Sequence, residues 1–71
     1  MTIYLMIEEN RPVRAYKNIE LAKHQLDARM FALCKQGNRI EYVKEGVRYT
    51  YSHPRENIKK GIWLTEVELQ D

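Results

Sequence analysis

Apolar residues recur at helical spacing once in this chain, and the stretch is bounded by signals at both ends. Ile19, Ala22, Leu26, Met30 and Leu33 follow one another at i, i+3 or i+4, the stripe through which a helix buries one face. Asn18 is a good N-cap, Glu20 suits the positive end of a helix dipole, and Gly37-Asn38 is a stop. A helix of about five turns is therefore predicted over Ile19 to Gln36. The segments on either side alternate with the period of two that belongs to strands. One helix and several strands bury apolar surface together as a layer pair, a sheet with the helix on one face. Seventy-one residues leave room for one such domain, 1–71, whose small core supplies only a few kcal/mol of net stability. The single cysteine, Cys34, excludes an intramolecular disulfide and a cysteine-based zinc cage, which fits a reducing compartment.

Thr2 to Glu8 sets Ile3, Leu5 and Ile7 against Tyr4, Met6 and Glu8, and Val13 to Lys17 alternates likewise. A five-residue connection, Glu8 to Pro12, pairs Ile7 with Val13 and Leu5 with Ala15 on one face. It pairs Met6 with Arg14 and Tyr4 with Tyr16 on the other, and leaves Pro12 where no ladder donor is needed. Arg39 to Ser52 reads as a hairpin around a two-residue turn, Glu45-Gly46. Tyr42 then faces Tyr49 and Ile40 faces Tyr51 on an aromatic side assigned to the core, while Val43 faces Arg48 and Glu41 faces Thr50 on the other. After His53-Pro54, a basic polar loop, Arg55 to Gly61, leads into a last strand, Ile62 to Gln70, in which Trp63, Thr65, Val67 and Leu69 alternate with Ile62, Leu64, Glu66 and Glu68. The expected fold is α+β, in the order ββαβββ, with an antiparallel-rich sheet under one helix. Ile3, Leu5 and Ile7 are expected beneath the helix, which leaves Tyr4, Met6, Tyr16, Ile62 and Leu64 on the uncovered face. Leu21, Ala28 and Ala32 lie roughly opposite the apolar stripe and Phe31 to one side of it, so Leu21 and Phe31 are either incidentally exposed or a contact surface.

The apolar start of the chain is followed by Glu8 and Glu9 and has neither the basic region of a signal peptide nor the length of a membrane span, so a soluble, unprocessed, cytoplasmic protein is expected. The formal net charge is only +2, but all twelve Lys and Arg residues lie between Arg11 and Lys60 beside five acids, a local surplus of seven. That sign argues against an acidic mimic of DNA, and it permits nucleic-acid contact without requiring it.

Catalysis needs a nucleophile or an acid–base group held by an orienting partner, and the candidates are few. His24 sits among polar helix residues beside Glu20 and Asp27, His53 reads as a turn residue before Pro54, and Cys34 falls at the edge of the apolar stripe, where a small buried thiol is ordinary. A reactive Cys34 would need a cationic neighbour such as Lys23 or Lys35. Two distant histidines and one cysteine give no metal-ligand spacing. Gly37, Gly46 and Gly61 form no phosphate-binding pattern. A non-enzymatic protein without cofactor or metal is expected.

Recognition of another protein explains more of the sequence. The uncovered face would present Tyr4, Met6, Arg14, Tyr16 and Arg48, aromatic anchors within a polar rim, and the loop adds Arg55, Lys59 and Lys60. A homodimer through the same face is included. The alternative is nucleic acid held by the basic 48–60 region, with Arg48, His53, Arg55, Lys59 and Lys60 near one end of the second hairpin and Tyr4 and Tyr16 as stacking faces. Glu66 and Glu68, assigned to that same open side, would repel phosphates.

The plan also resembles a class of known proteins. A short strand ending in acids, a second strand running directly into a capped helix as Ala15-Tyr16-Lys17-Asn18-Ile19-Glu20-Leu21-Ala22, and the terminal strand Trp63-Leu64-Thr65-Glu66-Val67-Glu68-Leu69 resemble small accessory proteins encoded by bacteriophages and prophages. The likeness is one of plan and size, and it carries over no site residues. It implies a compact, non-enzymatic protein in the bacterial cytoplasm that binds a host macromolecule, such as a defence complex, a nuclease or the transcription machinery, and inhibits or redirects it.

Overall fold

The computed structural model describes residues 1–70. Its elements run β1 (Thr2–Glu8), β2 (Arg11–Tyr16), α1 (Ile19–Lys35), β3 (Arg39–Lys44), β4 (Arg48–Ser52) and β5 (Lys59–Glu68). The strands form one antiparallel sheet in the order β2-β1-β5-β4-β3, with α1 on one face, so the α+β class and the ββαβββ order are as the sequence predicts. Each turn of the path has a local cause. The Asn18 side chain accepts hydrogen bonds from the backbone N–H groups of Glu20 (2.8 Å) and Leu21 (3.2 Å) and so opens the helix. At its far end Gly37 takes φ +94°, Gly37 N–H donates to Cys34 O and Asn38 N–H donates to Leu33 O. That pair of bonds satisfies two carbonyls of the last turn and requires a left-handed residue between them.

Both hairpins turn more tightly or more irregularly than their alternation predicts. Between β1 and β2 the chain reverses over Glu9 and Asn10 alone, both with positive φ (53° and 66°), a two-residue turn whose twist matches that of the strands. Pairing starts as Glu8 with Arg11 and Ile7 with Pro12, then slips by one residue to Met6 with Arg14, Leu5 with Ala15 and Tyr4 with Tyr16. The expected register is right beyond the slip and wrong before it, because Val13 bulges out beside Pro12, which has no N–H for the ladder. The β3–β4 hairpin likewise pairs Ile40 with Tyr51, Glu41 with Thr50 and Tyr42 with Tyr49 as expected. Its turn is Glu45-Gly46-Val47 and not two residues, so Lys44 pairs with Arg48 and Val43 is the extra residue. The polar loop expected over Arg55–Gly61 is shorter too. Lys59, Lys60 and Gly61 pair with Ser52, Tyr51 and Thr50, and β5 ends at Glu68, not Gln70.

The largest departure is in which face the helix covers. Ala22, Leu26, Met30 and Leu33 are buried as the stripe predicts. They pack on Met6, Tyr16, Tyr49, Tyr51, Ile62 and Leu64, with Tyr4, Ile19, Ile40 and Val47 at the margin. Tyr4, Met6, Tyr16, Ile62 and Leu64 therefore lie under the helix, and Ile3, Leu5, Ile7 and Trp63 lie on the uncovered face. The ladder explains the inversion. β5 pairs Ile62 with Tyr49 on one side and Leu64 with Met6 on the other, so once the β4 tyrosines are core, Met6 must be core as well.

The buried ridge sets two expectations. Leu26, wholly buried, should lose about 2–5 kcal/mol of stability on substitution by alanine, whereas Leu21→Ala on the exposed side should change stability by less than about 0.5 kcal/mol; chemical denaturation of the two variants measures both. Burial is the main cause raising the hydroxyl pKa of Tyr49 and of Tyr51 above the ordinary tyrosine range. A folded value above the unfolded one contributes stability that is complete below the unfolded pKa, about 10, and is lost as pH rises through the folded value. The unfolding midpoint should accordingly hold level through neutral pH and fall in strong alkali, in step with tyrosinate absorbance, and this alkaline loss should shrink in a Tyr49→Phe, Tyr51→Phe variant.

Candidate functional site

The uncovered face divides into an apolar half and a cationic half. Register puts Ile3 beside Val67, Leu5 beside Thr65, and Ile7 beside Trp63, with Ala15 next to Leu5 on the edge strand. Ile3, Leu5, Ile7, Trp63 and Val67 are all only half-buried, because neighbours in the sheet shield them from the sides and no second layer of structure covers them from above. Across β4 the same face carries Arg48, Thr50 and Ser52, and beyond them Arg39, Glu41 and Lys44 of β3. Arg48 is the hinge between the halves. It pairs with Trp63 across the ladder, and its guanidinium carbon lies 4.8 Å from the centroid of the Trp63 ring, a cation–π contact. Gly61 makes room for that ring, since a Cβ there would come within 3.3 Å of Trp63 Cζ3.

The residues singled out from the sequence are spread over both faces. Of the eight, Arg48 lies on the open face as expected. Tyr4, Met6, Tyr16 and Arg14 lie on the helix side, where Arg14 stays exposed at the mouth of a shallow groove lined by Met6, Val13, Tyr16 and Gln25. Lys59 and Lys60 do not form one basic loop, because successive residues of a strand point to opposite faces. Lys59 joins the open face and meets Glu41 at 3.3 Å. Lys60 joins the helix face, 3.4 Å from Glu56 and 3.9 Å from Glu9. Arg55 is exposed in the turn that follows His53. Glu66 and Glu68, expected to repel phosphates from the open face, share the parity of Leu64 and lie on the opposite one. Trp63, which stands on the open face between Ile7 and Arg48, is legible in the sequence as an alternating aromatic but not as an outward one.

The groups considered for chemistry are dispersed. His24 is exposed, and His53 Nδ1 accepts a hydrogen bond from Arg55 N–H at 3.1 Å. Cys34, expected to be buried, is exposed. Arg29 donates to both oxygens of the half-buried Glu8 (2.9 and 3.2 Å) and ties α1 to β1, and that hydrogen bonding holds the guanidinium pKa above its ordinary value against the effect of burial. Among the described residues no three His, Cys, Asp or Glu side chains are placed to hold a metal ion, and no helix among them is long and apolar enough to cross a membrane. Comparison with family models, curated proteins and solved structures returned no match.

Because the chain has one tryptophan, fluorescence excited beyond the tyrosine absorption band reports the open face alone. Arg48→Ala should increase quenching of Trp63 by acrylamide, as the ring loses its cover, while stability changes by less than about 1 kcal/mol. Equal quenching in both proteins would show that the guanidinium does not shield the ring in solution.

Proposed function

We propose that this chain is a non-enzymatic binding module that docks another protein on the open face of its sheet, with Trp63 as the central anchor. The observation that carries the reading is the row Ile7–Trp63–Arg48, an apolar stripe ending in a stacked cation on a face without a covering layer. Protein interfaces concentrate affinity in Trp and Arg anchors that a surround of neutral contacts seals from water. Ile3, Leu5 and Val67 supply that surround, and Arg39, Lys44 and Lys59 supply a polar rim. The likeness in plan and size to phage and prophage accessory proteins favours a bacterial host protein or complex as the partner, bound in the cytoplasm and thereby inhibited or redirected. A nucleic-acid reading has one observation in its favour: Arg39, Arg48 and Lys59 share a face with Trp63, and Glu66 and Glu68 do not. Protein is preferred because half of the face, Ile3, Leu5 and Ile7 with Thr65 and Val67, holds no Lys or Arg to meet a phosphate.

Affinity capture from a bacterial lysate, with and without nuclease, tests the reading with two variants whose folding is checked by circular dichroism. A discrete protein partner should survive nuclease, be retained by Arg55→Glu, and be lost by Leu5→Glu, which places a charge in the apolar half. Capture that Leu5→Glu leaves intact would remove this face from the interaction. Material that disappears with nuclease, and whose binding falls steeply with salt, would transfer the function to nucleic acid.

A further inference from the structure

The second surface lies on the helix side, between the C-terminal half of α1 and the β3–β4 hairpin. A groove of about 540 Å³ opens there, with Met30, Ile40 and Tyr49 beneath it and Phe31, Tyr42, Asp27 and Glu45 around it. Phe31 and Tyr42, 63% and 73% exposed, are the two most exposed aromatic side chains among the described residues, and they border this one groove. Its charge runs against that of its surroundings. No Lys or Arg lines it, although the stretch from Arg11 to Lys60 carries the whole of the chain's basic surplus. Asp27 and Glu45 take part in none of the ion pairs among the described residues, whereas Glu41 and Glu56 are matched with Lys59 and Lys60.

The walls are held in place. Tyr42 and Tyr49 meet edge to face with ring centroids 5.1 Å apart. The Tyr49 hydroxyl accepts from Gly46 N–H at 2.9 Å and donates to Asp27 Oδ1 at 3.4 Å, which links the hairpin turn, the groove floor and the helix carboxylate. Aromatic faces beside unpaired carboxylates are the chemistry that recognises an organic cation. The chain already uses one of these rings in that way, with Lys35 Nζ lying 4.8 Å from the centroid of Phe31 and outside the groove lining.

We propose that this groove receives an arginine or lysine side chain of a partner polypeptide, its cation between the rings of Phe31 and Tyr42 and its charge met by Asp27 and Glu45. The site is independent of the open sheet face, because it lies across the sheet from Trp63. A ligand cation there gains the ring faces and two carboxylates, while its methylene stem covers Met30 and Ile40.

The test is a titration of the isotopically labelled full chain, followed by amide NMR, with the blocked tripeptides acetyl-Gly-Arg-Gly-amide and acetyl-Gly-Lys-Gly-amide. The neutral comparison is acetyl-Gly-norleucine-Gly-amide, which keeps the stem and removes the charge. Cationic peptides should shift the amides of Phe31, Tyr42 and Gly46 in a saturable way at millimolar concentration, and norleucine should not. Tyr42→Ala and Glu45→Gln, both at exposed positions, should each weaken the effect by about three- to tenfold, and Leu5→Glu should leave it unchanged. Equal shifts from norleucine would make the groove merely apolar and overturn the proposal. So would shifts spread over Glu20 and Glu66 as strongly as over the groove, or no saturable shift at all. Concentration-dependent dimerisation that Tyr42→Ala abolishes would replace the partner polypeptide with a second copy of the chain, and would overturn it in that form.

Discussion

β5 is the joint on which the molecule depends. The β1–β2 and β3–β4 hairpins are each closed by short turns and need only local pairing, but nothing connects them into one sheet except the strand between them. Its partners on β1 are the most distant in sequence, Thr2 with Glu68 and Ile3 with Val67, so its docking must overcome the closure entropy of almost the whole chain. Its register also decides what every face contains. A slip of one residue would carry Trp63 beneath the helix and Ile62 into water. The native register is defended from both faces, by Ile62 between Tyr49 and Glu8 in the ladder and by the bare Cα of Gly61 under the Trp63 ring.

That dependence explains what could be read from the chain and what could not. The helix was legible because its signals are local: the Asn18 cap, the Gly37 stop and the stripe from Ala22 to Leu33 act within a few residues. Strand positions were legible for the same reason, since alternation is a property of each segment alone. Choosing the face was not. Ile3, Leu5 and Ile7 are a more apolar set than Tyr4, Met6 and Glu8, and taken alone they look like the side that should be covered. The four antiparallel pairings make β2 and β3 parallel at opposite edges of the sheet, so α1 is a crossover between parallel strands. Such crossovers keep one hand almost without exception, and the strand order thus selects the covered face. No local pattern carries that order.

The candidate sites inherit the same division. Arg48 and Trp63 were visible as residue types, yet their contact exists only because β4 and β5 are neighbours. Lys59 and Lys60 read as one basic loop because the sequence shows their adjacency along the chain and not the face that each takes. The ladder with β4 extends β5 back to Lys59 and sends the two cations to opposite faces. The groove was hidden for a further reason. Pairing with Tyr49 assigns Tyr42 to the core, and that pairing is correct, but β3 is an edge strand, and α1 covers Ile40 in part while leaving Tyr42 in water. An edge-strand residue can share the parity of the core and still stand in water.

The distribution of charge then follows from packing more than from composition. The basic surplus between Arg11 and Lys60 does not survive folding as a single patch. Arg29 is bound to Glu8, Lys59 to Glu41 and Lys60 to Glu56 and Glu9, while Arg48 and Lys35 lie over aromatic rings. Pairs as exposed as Lys59–Glu41 add about 0–1 kcal/mol each, so their effect is less on stability than on the field the protein presents. Folding disperses that surplus over both faces without cancelling it, since Glu41 and Glu56 are already counted in it and a cation over a ring keeps its charge. It leaves two surfaces of opposite character on opposite sides of one sheet: an apolar face ending in a stacked guanidinium, and an aromatic groove with carboxylates. The contact proposed for the first draws on burial of apolar area and that proposed for the second on charge, so changes in salt should act on them unequally. A molecule of this size can therefore hold two contacts without either obstructing the other, because five strands with a single helix leave one sheet face and one helix flank uncovered.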